Sequence, residues 1–257
     1  MSALADGGFQ VFGLTLWPLA FWLAAIFLAG IVRGYSGFGF SALCVASLTL
    51  VLPPAEVVPV ILVLEVAASV GMLPQVWRDV DWRALAWLIL GAVAATPFGV
   101  IFLAQVPADA ARVAISLLVL AACGLLLLGY RFRRAQGAKG VLATGCVSGL
   151  VNGVGAVGGL PVVIFLLASA AGAATTRALL VAYLLLTDVY ATALTLGQGL
   201  LTWELIGRWA IALPALFLGI ALGNRHFLKA PPESFRRFTL TLLILLALLG
   251  LLRALLI

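Results

Sequence analysis

Apolar residues run along this chain in long, nearly unbroken stretches. They cover residues 14–32, 36–52, 57–76, 84–104, 110–130, 141–151, 160–170, 178–196, 206–223 and 238–257. Most approach the roughly 20 residues needed to cross a bilayer core as a helix. A stretch such as Leu242 to Leu252 shows no alternation, which excludes the ten-residue alternating strands of a membrane β-barrel. The expected elements are transmembrane helices. Six stretches read as full spans, and the other four form two pairs, each interrupted by glycine and polar residues. The first interruption is Arg33-Gly34-Tyr35-Ser36-Gly37-Phe38-Gly39-Phe40; the second runs from Asn152 through Gly153, Gly155, Gly158 and Gly159 to Pro161. Both read as broken helices or re-entrant hairpins.

Sliding the second half along the first brings out a repeat at a spacing of roughly 120 residues. Ser36-Gly37-Phe38-Gly39 falls opposite Asn152-Gly153-Val154-Gly155, Glu65 opposite Asp188, Gln75 opposite Gln198 and Trp82 opposite Trp203. Pro107, Asp109 and Arg112 follow opposite Pro231, Glu233 and Arg236. The expected organisation is one integral membrane domain made of two homologous halves, residues 1–134 and 135–257.

Composition agrees with a polytopic membrane protein. Of 257 residues 65% are hydrophobic and 9% charged, and mean hydropathy is +1.24, whereas soluble domains are about a quarter charged. The net charge of +6 would suit a nucleic-acid partner only if the basic residues shared one face of a folded module. They lie instead in short loops, where they orient a membrane protein. Arg131, Arg133, Arg134 and Lys139 form one such loop with no acid, and Arg225, Lys229, Arg236 and Arg237 outnumber Glu233 in another. Both loops should therefore be cytoplasmic, with an even number of crossings between them. This holds if the pair 141–151 and 160–170 returns to its own side and two full spans follow. Each half then has one returning pair and three spans, an odd number of crossings, so the second half enters inverted, as in many secondary transporters. Both termini then face outward. The loop around Pro107 to Arg112, with Asp109 cancelling Arg112, has no net charge and suits the outer face. The first thirteen residues hold Asp6 and no Lys or Arg, so the first apolar stretch is expected to stay in the mature protein.

Enzyme chemistry finds few parts. His226 is the single histidine, in a basic loop without an acid, so zinc hydrolysis and histidine-based nucleophilic catalysis lack their partners. Cys44, Cys123 and Cys146 stand singly in apolar segments and suit packing. Gly153 to Gly158 matches dinucleotide-fingerprint spacing without the strand or the acid which that reading requires. No enzyme activity, cofactor, metal or nucleic-acid partner is expected.

The remaining chemistry is polar and lies at membrane depth. A helix broken in the bilayer leaves backbone N–H groups that can replace the hydration of a small anion, and glycine lets the anion approach. Gly37, Gly39, Gly153, Gly155, Gly158 and Gly159 either line such a site or permit close helix packing. Arg33 either neutralises the anion or ends the first helix and reaches the headgroups. Ser36, Ser41 and Asn152 either donate to a ligand or repair backbone groups freed at the breaks. Glu65 and Asp188, acids inside full spans, either couple transport to protons or hydrogen-bond between helices.

Over its whole length the chain resembles the TauE/SafE family of sulfite and organosulfonate exporters, in size, in its two similar halves and in the glycine-rich break opening each. Gly149-Leu150-Val151-Asn152-Gly153-Val154-Gly155-Ala156-Val157-Gly158-Gly159-Leu160-Pro161 is the closer match to that family's motif; the first break lacks the paired glycines and the proline. The resemblance implies a multi-pass carrier in the bacterial inner (plasma) membrane, with small anions such as sulfite, sulfonates or related organic acids as cargo. An anion channel of similar architecture and a non-transporting membrane partner subunit are the alternatives. Homo-oligomerisation is left open.

Overall fold

A computed structural model describes residues 13–128, 137–169 and 172–227, with positions 241, 244, 245, 247, 248, 251 and 252 of the last apolar stretch. Among these residues nine α-helices follow one another: α1 (Leu16–Ser36), α2 (Phe40–Leu48), α3 (Pro54–Val76), α4 (Trp82–Gln105), α5 (Ala108–Leu128), α6 (Ala138–Gly155), α7 (Gly159–Ala168), α8 (Ala173–Gly197) and α9 (Trp203–Phe227). A 3-10 turn, Trp77–Asp79, joins α3 to α4, and there is no strand among the described helices. The span expected at 238–257, the side chains of Ser36 and His226, and most of both basic loops lie outside the described residues.

Local sequence sets the boundaries. Pro53 and Pro54 open α3, where the missing N–H costs nothing. Asp81 caps α4 by accepting from the N–H groups of Arg83 and Ala84 at 3.1 and 3.0 Å. Trp82 and Trp203, matched in the repeat, each begin a helix. Buried Arg112 donates through Nε to the carbonyl of Thr49 at 2.6 Å, pairs with Asp109, and so anchors the end of short α2 to the start of α5.

Six of the described helices are long and apolar enough to cross a membrane, Leu16–Tyr35 among them. The sequence pattern presents that segment as one arm of a broken pair. Helix α1 continues through Arg33 and Gly34 to Ser36, which gives it a length of about 32 Å, against about 14 Å for α2. Both interruptions are thus shorter than expected: the backbone leaves the helix only over Gly37–Gly39 and Ala156–Gly158. Asn152 to Gly155 remain helical because Gly153 there lets α6 touch α4.

Glycine governs the closest packing. A Cβ on Gly30 or Gly34 would strike the backbone of Leu216 or Ile220 in α9, and one on Gly219 or Gly223 would strike that of Phe27 or Ile31 in α1. The contacts advance together, so α1 and α9 run in the same direction. In the same way Gly145, Gly149 and Gly153 of α6 lie against Leu88, Ala92 and Thr96 of α4. Such close approach is a principal source of helix association in lipid, where no hydrophobic drive exists between apolar faces.

The other contacts fix the remaining directions. Glu56 pairs with Arg208 at 2.7 Å and Gly71 faces Phe217, so α3 runs with α9 and therefore with α1. Ser148 and Asn152 of α6 meet Tyr183 and Asp188 of α8 in order, so these two also run together. Arg177, early in α8, meets the late residues Gly34 of α1 and Asn224 of α9, so α8 opposes both. Helices α1, α3 and α9 thus run one way, and α6 and α8 the other.

Candidate functional site

Each break is built around a left-handed residue that closes a long helix. Gly37 (φ 78°) ends α1 with its N–H on the carbonyl of Arg33 at 2.8 Å, and Gly39 (φ 89°) precedes α2. This backbone region disfavours any side chain but suits glycine. At the second break the equivalent residue is Ala156 (φ 53°), whose N–H reaches the carbonyl of Asn152, also at 2.8 Å.

Four residues before each cap stands a polar side chain, and each meets an acid from a neighbouring helix. Arg33 is fully buried. Its Nη1 lies 2.9 Å from Oε1 of Glu65 and donates to the carbonyl of Gly37 at 2.6 Å, while Nη2 donates to Oγ of Ser69 at 2.8 Å. The guanidinium fork thereby joins α1, the break and α3. Headgroup contact, the alternative reading of Arg33, is ruled out by this burial. In the second half, Nδ2 of Asn152 donates to Oδ1 of Asp188 at 2.7 Å, and Oδ1 of Asn152 accepts from the N–H of Gly158 at 3.1 Å. Tyr183 donates to Ser148 at 2.7 Å, and Ser148 donates to the carbonyl of Gly158. Residue 158 is therefore held from both its N–H and its C=O.

The caps align the two breaks at a spacing of 119 residues. Asn152 occupies the position of Arg33, not that of Ser36, and Gly37 matches Ala156. Arg33 bonds a residue 36 positions on, Ser69, and Asn152 bonds a residue 36 positions on, Asp188. Asp188 is thus the positional counterpart of Ser69, and Glu65 lies one turn earlier. Glu65 Oε2 and Asp188 Oδ2 are buried with no hydrogen-bond partner among the described residues.

The other expected site residues are distributed unevenly. Ser41 is buried in the first turn of α2. Gly158 lies beneath the Asn152 side chain, and Gly159 begins α7 against Leu184. Gly155 backs onto Ile115, and Gly153 faces α4 at a distance where an added Cβ would come 2.5 Å from the Thr96 carbonyl oxygen. Their glycine identity is explained by packing. The acids that meet the two breaks come from outside them, Glu65 from α3 and Asp188 from α8. Arg177 was not anticipated. Its Nη2 donates to the carbonyl of Gly34 at 3.2 Å and to Oδ1 of Asn224 at 2.7 Å, and its stem lies over Gly37. Its spacing from Asp188, three helical turns on one face, is the signal that could have found it.

Both breaks fall within residues 22–249, which match the family described as sulfite exporter TauE/SafE. The chain belongs to the TauE/SafE family. A relative named "Probable sulfite/organosulfonate exporter TauE", from Cupriavidus necator, is 26% identical over 221 residues, covering 83% of this chain and 84% of its own. No solved structure matches significantly. This TauE/SafE chain is accordingly a multi-pass membrane protein of a transporter family, and Arg33, Glu65, Asn152 and Asp188 form its buried polar centre.

Proposed function

We propose that the chain is a secondary transporter that moves a small anion, sulfite, a sulfonate or a related organic acid, across the inner (plasma) membrane. The observation carrying this reading is the pair of matched contacts, Arg33 with Glu65 and Asn152 with Asp188, at two broken helices. Arg33 and Asn152 sit at the ends of α1 and α6 yet meet residues in the middle of α3 and α8, a depth at which polar groups in transporters serve substrate and coupling ions. The directions of the helices support an inverted repeat of residues 1–134 and 135–257: α1 and α3 run together, as do α6 and α8 the opposite way, so α2 and α7 act as the returning arms.

In this reading the anion lies between the breaks. Its donors are Arg33, Asn152 and the backbone N–H groups around Gly37–Gly39 and at the start of α7, with Ser36 and Ser41 beside the first break. The donors are held ready by internal carboxylates. When an anion takes their place, a displaced carboxylate left buried without a partner is costly, and proton uptake by Glu65 or Asp188 relieves that cost. Anion and proton movement are coupled through competition for the same donors. Reconstitution into vesicles with a screen of sulfite, sulfonates and carboxylates tests the assignment: saturable anion flux with counter-substrate exchange supports it, and the absence of anion flux refutes it.

A further inference from the structure

Arg177 has no part in the transport reading given above. It stands in the first turns of α8, in the second half, and is half-buried. From there its guanidinium reaches the carbonyl of Gly34 in α1 at 3.2 Å and the amide of Asn224 in α9 at 2.7 Å. Its side chain also covers the left-handed cap of the first break so closely that a Cβ on Gly37 would lie 2.7 Å from Cγ of Arg177. One side chain thus holds three helix ends together. The Arg33 guanidinium grips the carbonyl of the same residue at 2.6 Å, so the break is held by two arginines from different halves. Nothing in the repeat demands this, since the residue 119 positions earlier, at the spacing that relates Arg33 to Asn152, is the buried Val58.

We infer that Arg177 is a positioning residue that latches the first break shut on the face where α6 and α8 begin, and that it must release Gly34 and Asn224 for the Arg33–Glu65 centre to open to that face. That face bears the loop around Gly137 and is cytoplasmic by its charge. The inference rests on the carrier reading for its purpose, but the latch itself is read from accessibility alone. A carbonyl and an amide oxygen are acceptors that a guanidinium exchanges easily for water, which suits a contact made and broken in each cycle.

The test uses the full chain with Cys44, Cys123 and Cys146 replaced by alanine and a reporter introduced by Ser41→Cys, two residues beyond Gly39. Labelling by an impermeant thiol reagent is followed from each face in oriented vesicles. Losing one hydrogen bond to a charged group shifts an equilibrium by about tenfold or more, so Arg177→Ala should raise labelling from the α8-start face about tenfold or more and leave the opposite face unchanged. Asn224→Ala, which keeps the arginine, should move the rate the same way by less, and Arg177→Lys should restore part of the protection. Unchanged labelling in Asn224→Ala together with Arg177→Ala overturns the latch; if Arg177→Ala fails to fold, unchanged labelling in Asn224→Ala overturns it alone. Loss of anion flux in the parent protein would count against the carrier reading, and the labelling result would stand apart from it.

Discussion

Arg33 and Glu65 form an ion pair with 2.9 Å between Nη1 and Oε1, and neither side chain is more than 1% exposed. At the second break the matching contact, Asn152 with Asp188, falls one turn further along its partner helix and has no full positive charge. The contacts at the two breaks therefore hold one cation and two acids, and the acids should not be equivalent.

Removing one member of a buried pair leaves a charge without compensation, at about 3–5 kcal/mol. Glu65→Gln should therefore lower thermal stability strongly, while Asp188→Asn, which keeps an oxygen for the Asn152 amide, should cost about 1 kcal/mol. Arg33→Met combined with Glu65→Leu should recover most of the stability, since apolar replacement of a whole buried pair is often neutral, yet remain inactive. Melting curves in detergent, alongside flux, separate the two effects. Equal destabilisation by the two amide variants would remove the asymmetry.

Coupling makes its own demand. One of the amide variants Glu65→Gln and Asp188→Asn should lose the pH dependence of flux, and the two should differ in degree. Flux measured between pH 5.5 and 8 decides this; wild-type pH profiles in both variants would leave the acids as structural hydrogen-bonding groups only.

Packing and site-lining glycines should separate cleanly. Gly153→Ala drives a Cβ into the α4 backbone, and overpacking of this kind costs about 1–3 kcal/mol, so folded yield should fall. Gly155→Ala comes nearest to the Ile115 side chain, at 2.9 Å from its Cγ1, and pairing it with Ile115→Ala, which removes that atom, should relieve the clash. Yield and monodispersity after purification report the outcome, and normal behaviour of Gly153→Ala alone would contradict the α4–α6 contact.

Topology follows from loop charge and helix direction together. Single cysteines at Gly137 and Lys229, in a cysteine-free background, should resist impermeant reagents in intact cells, and cysteines near either terminus should react. Labelling from outside at Gly137 would reverse the orientation.

Much of this architecture is legible in the sequence, because glycine and apolar length act locally. Gly37 and Gly39 mark a break wherever they fall, and Trp82 and Trp203 begin corresponding helices. The extents of the breaks were less legible: Gly34 and Gly153 look like helix breakers, and only the partner helices α9 and α4 make them helical packing residues. The pairings of Arg33 with Glu65 and of Asn152 with Asp188 were hidden, since they join different helices and no period in the chain reports which face of α3 meets α1. Arg177 sat at the edge of an apolar stretch, where a basic residue reads as an orientation signal, and its reach across to Gly34 is a tertiary fact.

Asn152 is where anion recognition can be read most directly, because its amide joins the second break to Asp188. Binding of sulfite and methanesulfonate to purified protein, measured calorimetrically for wild type and Asn152→Ala, tests the central claim. A lost hydrogen bond to a charged group, about 1.5–3 kcal/mol, should weaken binding roughly ten- to a hundredfold while the variant stays folded. Wild-type affinity in Asn152→Ala, or a preference for cations over every anion tried, would contradict an anion site at the two breaks.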